Sequence, residues 1–150
     1  MFTGRSSSEQ SKISELKSKI RAGSIVYLYC DFITNPKPKY VVIAYVDFDN
    51  DDSLVFIVNS EIRPLIEHDK RLKESQIKLT KESIYTFLDH DSYVNCVEVF
   101  DCLDLHYAIR NLEYKGELRR EEVNQIISCV ENSQTIAKSD KELIIKAMRN

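Results

Sequence analysis

Apolar residues Ile13, Leu16 and Ile20 recur three or four positions apart, which predicts a short helix in SEQSKISELKSKIRAG, with Ser8 as its cap and Gly23 as its stop. One narrow stripe cannot hold a helix in water, so this helix must dock on the domain or on a partner. From Ser24 the period changes. SIVYLYCDFI, KYVVIAYVDF and SLVFIVNS are β-branched and aromatic runs that predict three strands. TNPKPK separates the first two, because its prolines exclude helix and central strand, and DNDD turns between the second and third. The near-continuous apolar runs predict strands covered on both faces for part of their length, in a strongly bent antiparallel meander.

Beyond the meander the pattern is less regular. EIRPLIEHDKRLKE predicts an irregular or partly helical excursion carrying Arg63, Lys70, Arg71 and Lys73. QIKLT predicts a short strand with Ile77 and Leu79 on one face, and SIYTFL either a helical turn or an extended segment. YVNCVEVF predicts the last long strand, and LDLHYAIRNLEY a short helix or a closing strand. After Gly116, ELRREEVNQIISCVENS places Val123, Ile126, Ile127 and Val130 on one helical face, with Glu121 and Glu122 in the early turns where negative charge is favoured. SDKELIIKAMRN carries the capping-box pattern Ser139-x-x-Glu142, with Leu143, Ile144 and Ala147 behind it. Strands that curl into a small barrel and are followed by helices make an α+β domain. The expected division is a polar tail and N-terminal helix over residues 1–22 and one domain over residues 23–150.

Composition narrows the function classes. With 150 residues, 43% hydrophobic and 30% charged, the chain is long enough for a real core and is not disordered in character. Three glycines and no GxxxxGK[ST] or GxGxxG leave no Gly-rich phosphate cradle. A formal charge of −3 argues against a broad basic face for nucleic acid, while leaving room for a local basic groove. The four cysteines show no CxxC and no paired spacing with histidine, which predicts reduced, buried thiols in a cytoplasmic protein. No signal-peptide pattern or membrane-length apolar run is present, so no membrane partner is expected. DFDNDD alternates Asp47, Asp49 and Asp51, but no glycine holds the sixth loop position and Val58 stands where calcium needs a bidentate Glu. A hairpin tip is the expectation, with no metal and no cofactor.

Four stretches, in order, resemble the toxin family of MazF, PemK and Kid. GSIVYLY is similar to the family's opening G-[DE]-[IV]-hydrophobic strand. PKPKYVVIA resembles its "gk-x-RP-vvVi" segment, with Lys39 near the usual arginine and Tyr40 near the proline. SLVFIVNS sits where the family has "vvv-piTs", so Asn59 and Ser60 fall near its Thr-Ser pair, and YKGELRREEVNQI resembles the start of its last helix. FLDHDSYVNC, in turn, looks like the "hxFixHDSYVxY" of relatives whose activity is unknown. The resemblance implies a small SH3-like antiparallel β-barrel with an N-terminal helix and C-terminal helices. It implies the toxin of a type II toxin–antitoxin module: a metal-independent endoribonuclease acting on single-stranded RNA, a homodimer, and a protein antitoxin as partner. The chain departs from the PemK branch at YVNCV, where Asn95 and Val97 replace an arginine and an aspartate. An SH3-like barrel that has lost catalysis and binds protein or RNA is the alternative.

Candidate site residues follow from what such cleavage requires. A base must take the 2′-hydroxyl proton, an acid must protonate the leaving oxygen, and cations must steady the phosphate. His90 is the acid–base candidate because histidine titrates near neutrality, with Asp89 or Asp91 to orient it; the competing reading makes both acids turn residues. Lys39 is the phosphate-binding candidate, and Asp31 the carboxylate that could serve as base after the first strand. Lys37, Asn59, Ser60, Tyr93 and Asn95 are the candidate RNA-binding residues, Tyr93 by stacking on a base. A thiol nucleophile from Cys96 or Cys102 with His90 or His106 competes with plain packing, which thiols in apolar strands usually serve.

Overall fold

The computed structural model describes residues 7–102 and 105–150. The tail expected before the first helix lies outside the described residues for residues 1–6. The chain begins with helix α1 (Ser7–Lys19) and passes into strands β1 (Ser24–Cys30), β2 (Lys37–Asp47) and β3 (Asp52–Asn59). Two one-turn helices, α2 (Pro64–Glu67) and α3 (Lys70–Lys73), lead to β4 (Gln76–Leu79). The short strands β5 (Ser92–Asn95) and β6 (Phe100–Asp101) follow, then α4 (Leu105–Asn111) and β7 (Glu113–Glu117). Helices α5 (Arg120–Asn132) and α6 (Lys138–Arg149) complete the fold. The sheet is antiparallel in the order β4-β5-β3-β2-β1-β7, with β6 also on β3.

This is the α+β fold expected: an antiparallel sheet curled into a half-barrel with helices at both chain ends. Its curvature has local causes. Register shifts opposite Ile25/Val26 and at Ile43/Tyr45 leave an extra residue in β7 (Lys115) and in β2 (Ala44), and bulges bend and twist the strands that hold them. Gly23, at φ +98°, turns the chain into β1 in a conformation that favours glycine, and its N–H donates to the Ile43 carbonyl at 2.7 Å.

The continuous apolar runs are explained by two cores, one on each face of the sheet. Ile25, Val42, Phe56 and Val94 pack with Ile126 of α5 and Ile144 of α6. Their strand neighbours Val26, Val41 and Ile57 point the other way and pack with Ile20 and with Ile109 of α4. The stripe on α1 is therefore covered within the chain: Ile13 and Leu16 lie against this second core.

Several local expectations are corrected. Ser8 lies inside α1 rather than capping it, and the helix ends at Lys19, ahead of Gly23. Ser139 likewise lies inside α6, whose N-cap is Ala137 with no side-chain bond; Ile144 and Met148 are buried, while Leu143 is exposed. Only part of TNPKPK breaks the chain, since Lys37 and Pro38 already belong to β2. Pro38 lies opposite Tyr29 beyond the end of β3, where its missing N–H interrupts no ladder. LDLHYAIRNLEY supplies both α4 and the start of β7, and SIYTFL forms turns.

The largest difference is in YVNCVEVF. It is two short strands, because Val58 pairs with Val94 and Val55 with Phe100, leaving Phe56 and Ile57 opposite the longer stretch Asn95–Val99. Asn95 starts this excursion: its Oδ1 accepts from the Val97 N–H at 3.1 Å and from Gln76 Nε2 at 2.8 Å, drawing the backbone out of the ladder. The Cys96 N–H goes to the Ser75 carbonyl at 2.9 Å, and the Thr135 hydroxyl donates to the Val97 carbonyl from the α5–α6 connection.

Candidate nucleic-acid interface

The excursion after β5 and the connection between β1 and β2 form the walls of a groove of about 530 Å3. Between them lie the start of β2, the end of β3 and Arg63, just before α2. Lys37, Lys39 and Arg63 make the groove cationic, Asn35, Asn59 and Asn95 add amides, and Glu98 is its acid. Phe32, Ile33, Ile57 and Phe100 give it apolar surface; the Phe32 and Phe100 rings are 5.6 Å apart between centroids.

Strand register explains why Lys39 and Asn59 meet. Val41 pairs with Ile57, so two residues further along each strand Lys39 lies across from Asn59 on the same face. Lys39 Nζ donates to Asn59 Oδ1 at 2.5 Å. Burial lowers the Lys39 pKa from its ordinary value, and the positive charges of Lys37 and Arg63 lower it further against the opposing effect of Cys30. Such an ammonium has incomplete hydration and two like-charged neighbours. An anion entering the groove relieves both.

Of the residues expected to form a site, the groove brings together Lys37, Lys39, Asn59 and Asn95. Tyr93 is half-buried and directly opposite Asn59 in the β3–β5 ladder, at the border of the groove. Ser60, Asp31 and His90 are exposed and do not line it; Asp31 lies at a neighbouring hollow with Tyr29, Phe32 and Tyr107. His90 sits in the turn before β5. Asp91 there accepts from the Lys81 N–H at 2.9 Å and pairs with Lys78 at 3.5 Å, so it secures the turn and no described bond joins it to the imidazole. That Lys81 N–H bond, against the opposing effect of burial and with the help of Lys78, holds the Asp91 carboxyl below its ordinary value.

The other candidate chemistries separate from this groove. Cys30, Cys96 and Cys102 are buried and Cys129 is half-buried; burial pushes Cys30 up to about 11 and raises Cys96 well above its ordinary value. A thiolate nucleophile is disfavoured at both positions. The side chain of His106 lies outside the described residues. Asp47 closes the β2–β3 hairpin by accepting from the N–H groups of Asp49 and Asn50 at 3.1 and 3.3 Å, as a turn residue does. No group of three His, Cys, Asp or Glu among the described residues is arranged to hold a metal. A second cavity, about 390 Å3, lies beside Gly23 and Leu118; Arg21 on its wall pairs with Glu117 and Arg120 donates to the Met148 carbonyl. No described helix is long and apolar enough to cross a membrane.

Sequence reasoning missed Phe32, Phe100 and Glu98 as groove residues, and noted Arg63 only as part of a basic segment. They come from three separate connections and from β6, and no periodic signal relates such positions. No protein-family model and no curated protein matches the chain. In structure it is similar to a chain of the MazE–MazF complex from Deinococcus radiodurans, with a TM-score of 0.50 at 11% sequence identity, covering 73% of this chain and 90% of that one. At that identity the likeness is one of fold: this chain has a MazF-like architecture.

Proposed function

We propose that this protein is the toxin of a type II toxin–antitoxin pair, and that it binds single-stranded RNA in the groove and cleaves it without a metal ion. One observation carries the reading: Lys37, Lys39 and Arg63 converge with Asn59 and Asn95 in a groove of a MazF-like fold. Cations neutralise phosphate, and the planar guanidinium of Arg63 suits two phosphate oxygens at once. The MazE–MazF neighbour supports a protein antitoxin as the partner; in this reading the antitoxin competes for the same surface and the working form is a homodimer.

In this reading Lys39 and Arg63 steady the charge that grows on the phosphate as the 2′-oxygen attacks. In this reading RNA binding brings His90, in the turn before β5, within hydrogen-bond reach of that same phosphate, where it takes the 2′-hydroxyl proton and returns one to the leaving oxygen. A binding-only module is the second reading, favoured by the position of His90 outside the groove.

Purified protein incubated with mixed single-stranded RNA and EDTA separates the two. Cleavage that persists under chelation, falls by at least ten-fold in Lys39→Ala and falls again in His90→Ala supports the toxin; a general acid–base group typically contributes about 100-fold or more. Intact RNA that is bound at low salt and released by Lys39→Ala leaves the binding module.

A further inference from the structure

Glu98 is out of place in a groove made to hold phosphate. A carboxylate repels the backbone that Lys37, Lys39 and Arg63 attract. No ion pair or hydrogen bond engages Glu98 among the described residues, and it is not among the charges that act on Lys39. It therefore faces the groove as a free acceptor, apart from the lysines. Its neighbour on the same wall is Phe100, whose ring lies 5.6 Å from that of Phe32. Half-buried aromatic rings beside a polar acceptor are what an unstacked base requires: a surface for its π-face and a partner for its edge.

The edge decides which base. Two carboxylate oxygens accept two parallel N–H bonds, the geometry that makes carboxylate pairs bidentate. Guanine offers such a pair on its Watson–Crick edge, from N1–H and the N2 amino group. Adenine and cytosine each offer one amino group beside a ring nitrogen whose lone pair would oppose the second oxygen. Uracil offers one N–H between two carbonyls. We propose that the groove selects a guanine of single-stranded RNA, stacked against Phe32 and Phe100 and read on its Watson–Crick edge by Glu98. This rests on the groove being an RNA site and adds the base that it prefers.

The test uses the full chain and labelled 2′-O-methyl oligouridines, which cannot be cleaved through the 2′-oxygen, each with one central G, inosine, A, C or U. Fluorescence anisotropy at fixed salt gives the affinities. The G oligomer is expected to bind roughly ten-fold more tightly than the A, C and U oligomers, with inosine, which lacks the N2 amino group, between them. In Glu98→Gln the preference should collapse while the all-U oligomer binds at least as tightly as before, since a repelling charge has gone. Equal affinity for every base, with binding still abolished by Lys39→Ala, overturns the guanine assignment and leaves the RNA groove standing. A uniform loss across all oligomers in Glu98→Gln overturns it too, because that marks a structural role. Absence of any salt-sensitive binding overturns both.

Discussion

Glu122 is only 2% exposed, and its carboxylate is tolerable there because donors converge on it. The Tyr85 hydroxyl donates to Oε1, Arg119 Nε donates to the same oxygen at 2.8 Å, and Arg119 Nη2 reaches Oε2 at 3.0 Å. The Tyr85 oxygen in turn accepts from the Arg119 N–H at 3.0 Å. Burial alone would raise the Glu122 carboxyl, but the bonds from Arg119 and Tyr85 outweigh it and hold it below its ordinary value. Burial and the Glu122 bond push Tyr85 up to about 12. Tyr85→Phe should destabilise the fold by about 2 kcal/mol, the scale of a hydrogen bond to a charged group, read from urea denaturation. Because the folded carboxyl sits below its unfolded value of 4.5, its contribution is complete above that pH and is lost as pH falls through the folded value. Urea midpoints on either side of pH 4.5 should therefore drop less steeply on acidification in Glu122→Gln than in the wild type. Sequence gave no sign of this tie. Glu122 read as an ordinary first-turn acid, and nothing in SIYTFL marks Tyr85 as its partner.

Among the elements, those with a strong apolar period were legible and those shaped by side-chain bonds were not. β1, β2, β3 and α5 announce themselves by β-branched runs or by Val123, Ile126, Ile127 and Val130. β7 reads as EYKGE, polar and half-buried at the sheet's edge, and has no alternation to find. The split between β5 and β6 depends on Asn95 bonding to Val97, a choice between ladder and side chain that composition does not reveal. The helix α1 was expected to dock on the domain or on a partner; Ile13 and Leu16, with the buried Ile20 just past its end, show that it closes the second core. Ile20→Ala should cost about 3 kcal/mol, lowering Tm by on the order of 6–12 °C. Ser14→Ala, on the exposed side of α1, should leave Tm nearly unchanged. An equal effect of both would show that helix propensity, rather than packing, matters there.

For the molecule as a whole, net charge is a poor guide to what it can bind. The −3 total coexists with three cations on one groove, because the sheet and the connection after β3 gather them from residues 37, 39 and 63. Family resemblance brought Lys39, Asn59 and Asn95 forward from sequence, whereas Ser60, the neighbour of Asn59, and His90, in the turn before β5, do not line the groove. If the three cations each neutralise one phosphate, the logarithm of RNA affinity should fall with the logarithm of salt with a slope of about −2. Lys37→Ala should reduce that slope by roughly 0.7 without changing base preference. A slope near zero in filter binding or anisotropy would remove phosphate contact from the groove.

The Lys39–Asn59 bond carries a further consequence. A carboxamide occupies the ammonium's geometry but leaves its charge intact, where an aspartate at the same place would have cancelled it. The site thus rests in a primed condition: an arriving anion has only a neutral tether to displace. Asn59→Asp, nearly the same in shape, would act as a built-in inhibitor.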